Sequence, residues 1–105
     1  GAVEEAMQAQ ESARLAEIEA AEQAVLELRK AEIAEAVAGI KAAGKAVIVA
    51  AQEITVLEDL EQYVIVEGFE PEGETVEAIT AAFVKAKTAQ VLAQVADYKA
   101  SLGAE

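Results

Sequence analysis

Apolar positions in the first forty residues recur at steps of three and four, the spacing that lines one face of an α-helix. Leu15, Ile18, Ala21, Val25 and Leu28 form one such stripe. A second stripe, Leu26, Ile33, Val37, Ile40 and Gly44, runs one position out of phase with the first. The segment is rich in Ala, Glu, Gln and Leu and lacks Pro, so the pattern predicts one long helix over about 2–43. The phase shift implies that this helix changes partners partway instead of keeping a single coiled-coil seam. If continuous it extends roughly 60 Å at 1.5 Å per residue, more than a later helix of ordinary length can cover. Self-association is therefore expected through Leu15, Ile18, Val25, Leu26, Ile33, Val37 and Ile40. Gly44, followed by Lys45, reads as the helix stop, because glycine accepts the left-handed conformation that closes a last turn. Gly39 is either an earlier stop or a small residue that lets another helix approach.

Segment 46–69 is ambiguous. Ala46 to Ala50 and Tyr63 to Val66 are dense in β-branched side chains, which favour a pleated surface. Between them Ile54, Leu57 and Leu60 share a helical face, so Glu53 to Gln62 reads as a short helix or, alternatively, as a strand and turn. A continuous helix from Lys45 to Val66 is the third reading. Strand structure here is the favoured one.

Residues 68–74 read as a loop. Pro71 presets a turn dihedral and Gly73 accepts the positive φ that a type II turn needs. Thr75 then suits the N-cap of a final helix, with Glu77 in its first turn, and Gly103 ends it. Val84, Thr88, Val91, Val95, Tyr98 and Leu102 mark the stripe of that helix over about 75–102. Together these elements predict a single helix-dominated α+β domain, two long helices flanking a short strand-prone centre. An all-α three-helix bundle or coiled coil is the alternative.

Composition narrows the function classes. Of the 54% apolar residues, 26 positions are Ala, which bury little, so the core is thin for 105 residues and pairing with another chain is expected. Twenty acidic against eight basic side chains give a net charge of −12. Such a surface repels phosphates and anionic lipid, and the basic residues are scattered, so neither nucleic acid nor membrane is an expected partner. No run is long and apolar enough to span a bilayer, and residues 1–10, with Glu4 and Glu5, do not resemble a signal peptide. No feature fixes a cellular address. Cys, His, Trp and Asn are all absent, a reduced alphabet that points to a computationally designed protein.

Candidate chemistry is sparse. The stretch Gly39 to Ala46 has the glycine and lysine spacing of a phosphate-binding loop, but Ala46 stands where a hydroxyl must reach Mg²⁺ and the order of helix and strand is inverted. A helix-ending turn explains those glycines better. Glu67, Glu70, Glu72 and Glu74, interspersed with Gly68 and Gly73, are the candidates for a weak divalent-cation site. The helix-loop-helix calcium spacing is missing, and solvated loop charges are the simpler reading. Without His or Cys there is no imidazole base, no thiolate nucleophile and no nitrogen or sulfur metal ligand. Ser12 and Ser101 have no basic partner set by spacing. Lys85, Lys87 and Lys99 are expected on the exposed side or flank of the last helix, and Tyr63 and Tyr98 at core edges.

The layout of Ala-rich helix, glycine-containing turn and second Ala-rich helix, ending Ala96-Asp97-Tyr98-Lys99-Ala100-Ser101-Leu102-Gly103, resembles the periplasmic hairpins of outer-membrane efflux proteins over half the chain. It departs from that pattern in the interval from Tyr63 to Gly68 and at Pro71. The resemblance implies a scaffold element. The expectation from the whole sequence is a structural or self-assembling protein, homo-oligomeric, with no enzymatic activity, cofactor or small-molecule substrate. A natural helical interaction module of a multiprotein assembly is the alternative, and a weak cation binder the third reading.

Overall fold

A computed structural model describes residues 1–103, and it is all-α. Three helices follow one another: α1, Ala2–Glu53; α2, Leu57–Val66; and α3, Val76–Gly103. No strand occurs among the described residues, which overturns the α+β expectation in favour of the three-helix alternative. The chain divides into two compact units, Gly1–Glu35 and Ala36–Glu105.

The first unit is helical from Ala2 and buries nothing: its positions are exposed apart from Ile33, which is half-buried. Charge pairing along it is sparse. Lys30 reaches Glu27 at 3.6 Å, one turn earlier, and Gln23 donates to the same carboxylate at 2.9 Å.

The second unit holds the core. Ala51, Leu60, Val64, Ile79 and Phe83 are buried together, with Val47, Ile54, Leu57, Tyr63, Phe69 and Val76 packed around them. The strand-prone run Ala46 to Ala50 is thus the interior of α1. Its β-branched side chains each cost only about half a kcal/mol in a helix relative to Ala. That is less than the burial of Val47 and Ala51 returns. An isolated strand here has no partner for its backbone groups, whereas a helix satisfies them internally.

Gly44 does not stop α1 either. A Cβ built there would overlap Val91 Cγ2, so the missing side chain lets α3 approach α1. Gly39 is neither a stop nor a close-packing site, since a Cβ there would meet nothing within 4 Å. The second stripe therefore continues past Gly44 to Val47, Ala51 and Ile54, still at steps of three and four.

The helix ends without Gly or Pro. Ile54 N–H donates back to Ala51 O at 3.2 Å, a tightened last turn, and Val56 is extended at φ −98°, ψ 124°. Three successive β-branched residues, Ile54, Thr55 and Val56, sit at this break, which also rules out a continuous helix from Lys45 to Val66. Tyr63 to Val66 is the end of α2, not a strand. There Gly68 takes φ +90° and the backbone closes a Schellman motif. Phe69 N–H reaches Val64 O at 3.0 Å and Gly68 N–H reaches Ile65 O at 2.9 Å. The motif turns Phe69 back onto the cluster, edge-on to Phe83 at 5.4 Å between ring centres. Gly73 does take a positive φ, +136°. Thr75 Oγ1 then accepts the Ala78 N–H at 3.1 Å, the N-cap expected for α3.

The stripe on α3 follows the expected path only in part. Val91 and Val95 are buried and Val84 and Tyr98 half-buried, but Thr88 and Leu102 are exposed. Ile79 and Phe83, outside the predicted stripe, are the most buried positions of the helix. Buried residues at 79, 83, 91 and 95 advance by multiples of four, which drifts round the cylinder because a turn takes 3.6 residues. The drift lets the front of α3 face the α2 cluster and its later part face α1 at Gly44.

Candidate functional site

The phosphate-loop spacing from Gly39 to Ala46 lies wholly inside α1, where backbone N–H groups are spent on the helix and cannot cradle an anion. The four loop glutamates are no better assembled. Glu67 is half-buried at the end of α2 while Glu70, Glu72 and Glu74 are exposed, and no group of acidic side chains placed to hold a metal ion exists among the described residues.

Tyr63 sits at the edge of the core, and Tyr98 is half-buried on α3. Tyr63 OH donates to Val47 O at 3.3 Å and so ties α2 to α1, and its ring meets Phe83 edge-on at 6.2 Å. Burial raises its pKa above the ordinary 10.0, and the negative charge of Glu67, one turn along α2, adds to the shift. Ser101 donates to Tyr98 O, 2.7 Å away, a local helix contact. Lys85 and Lys99 are exposed; Lys87 is half-buried and donates to Gln90 Oε1 at 2.7 Å. Ser12 is exposed in the first unit. None of these side chains converges on a cleft with a second reactive group.

What remains is a surface. In the first unit Leu15, Ile18, Val25 and Leu26 are 57%, 46%, 64% and 51% exposed, and Val3, Met7 and Leu28 are more than half exposed as well. Helix geometry brings Leu15, Ile18, Ala21, Val25 and Leu28 onto one side, a strip about four turns long. Of the other residues expected in self-association, Ile33 is half-buried in the first unit. Val37 and Ile40 are half-buried in the second, on the helix face that carries Gly44. The stripe through Gly44 is half-buried or buried from Ile33 onward, whereas Leu26 and the stripe before it are exposed.

A concavity lies in the second unit, where Gly44, Ile48, Val91 and Leu92 form an apolar floor between α1 and α3 flanked by Lys41, Lys45 and Thr88. The Gly44–Val91 approach creates it, and no periodicity argument indicates it in advance. Its reactive groups are the two lysines and the Thr88 hydroxyl, which donates to Val84 O at 2.7 Å. No protein-family model, curated protein or solved structure matches the chain.

Proposed function

We propose that this chain is a structural protein that self-associates through its N-terminal helical segment and carries out no catalysis. The observation that carries the reading is the uncovered strip in the first unit, where large aliphatic side chains are about half to three-quarters exposed. A lone helix in water is marginal, because nucleation is costly and its stability in proteins comes mostly from packing an apolar face. Fully burying a Val, Leu or Ile returns about 1.5–3 kcal/mol. Covering the exposed parts of four such residues on each of two copies therefore offers enough to offset the several kcal/mol lost on association.

The non-catalytic half of the proposal draws on residue chemistry. The chain carries no His or Cys, and its serines and lysines lie apart from one another or on local helix partners. The reduced alphabet fits a chain designed for its own assembly. Sedimentation equilibrium of the full chain, from micromolar to near-millimolar concentration, should give a mass that rises to a multiple of 10.9 kDa. Replacing Ile18 and Val25 by Glu should return it to a single chain. A mass of one chain throughout that range would overturn the proposal.

A further inference from the structure

The geometry points to an antiparallel pairing of two copies of this chain, in which Arg14 of each meets Glu32 of the other. The inference rests on the self-association proposed above and adds its orientation and register. Counting by sevens along the first unit, Ile18 and Val25 occupy one of the two positions that face a partner helix, and Ala21 and Leu28 occupy the other. The same two positions continue outward to Arg14 and Glu11 before the apolar strip and to Glu32 and Glu35 after it. Arg14 and Glu32 are exposed, and neither forms an ion pair within the chain among the described residues.

These two charges distinguish the orientations. In a parallel, in-register pair each residue meets its own counterpart, so Arg14 faces Arg14 and Glu32 faces Glu32 at the two ends of the strip. Like charges there oppose association. Reversing one helix sets Ile18 against Leu28 and Ala21 against Val25, large beside large at the outer layers and small beside medium at the centre. The same register brings Arg14 to Glu32 at both ends, closing the apolar layers with opposite charges, while Glu11 meets Glu35 one layer further out; the parallel pair sets like against like at all four charged layers. Glu22 then meets its own counterpart beside the two-fold axis, a repulsion that salt relieves.

The chain has no cysteine, so a single Ser12→Cys substitution on the exposed helix carries a spin label without competing sites. In the antiparallel pair residue 12 lies opposite residue 34, so the two labels stand roughly 33 Å apart along the axis. A parallel pair holds them within about 20 Å, given helix axes 8–10 Å apart. A dimer mass with the long distance is the expected result. A dimer mass with the short distance overturns the orientation and leaves self-association standing; a mass of one chain overturns both. Charge reversal supplies the second measurement. Arg14→Glu and Glu32→Arg should each weaken the dimer about tenfold, since two exposed attractions become repulsions, and the double variant should recover the original affinity. Single reversals without effect, or a double variant weaker than either, would overturn the register.

Discussion

Two glycines in one helix have opposite roles, and the difference lies in what surrounds each missing Cβ. A glycine in a helix interior costs about 1 kcal/mol relative to Ala, through backbone entropy. At Gly39 nothing offsets that cost, as open space surrounds the position. At Gly44 the close approach of Val91 does. Gly39→Ala should therefore raise stability by up to about 1 kcal/mol, whereas Gly44→Ala should lower it by about 1–3 kcal/mol through overpacking. Thermal or urea melts of both variants test this, with Val91→Ala expected to relieve much of the Gly44→Ala loss. Tyr63 sets a different dependence. Its folded pKa is raised, so below pH 10 both folded and unfolded chains keep the proton and its contribution is constant. As pH rises above that value the unfolded chain releases the proton first, and stability falls until the folded hydroxyl ionises as well. Urea midpoints measured from pH 8 upward should show an alkaline decline that Tyr63→Phe makes shallower, at a cost of about 1 kcal/mol at neutral pH for the lost hydrogen bond.

Among the elements, α2 is the weakest in its local design and α3 the best. Thr75 caps α3 with its side chain, while Val56 stands at the α2 N-cap without a side-chain hydrogen bond. Val56 is 53% exposed, so a polar replacement sacrifices little burial. Val56→Asp should stabilise the chain by about 1 kcal/mol and Thr75→Ala should destabilise it by a similar amount. Denaturant midpoints shifting in opposite directions would bear this out; a Thr75→Ala variant that melts like the parent would contradict it. The contrast explains what the sequence made visible. Thr75 opens α3 with recognisable capping chemistry, and the observed start at Val76 lies one residue from expectation. The break between α1 and α2 carries no Gly, Pro or capping side chain and is set by the tertiary cluster around Ala51 and Leu60, so local reading misplaced it. Gly68 was legible as a turn glycine, but its Schellman role needed the Phe69–Phe83 contact to be seen.

For the whole molecule, burial is confined to one unit. Residues 1–35 contribute nothing to the core, and every fully or nearly fully buried side chain among the described residues lies in Ala36–Glu105. The stripe through Val37, Ile40 and Gly44 was readable from spacing, but whether it faces its own chain or another depends on where α3 goes, and spacing is silent on that. Of the candidate surface, Leu15, Ile18, Val25 and Leu26 could be read directly from the sequence as a face in search of cover. Uneven burial has a thermodynamic consequence. The two parts of the chain are held by different reserves, so a dilute sample has no single cooperative transition. Calorimetric and van't Hoff enthalpies then diverge, and amide protons of the opening thirty residues exchange with solvent by fraying. Those behind Leu60 and Phe83 wait for the complete collapse of their neighbourhood.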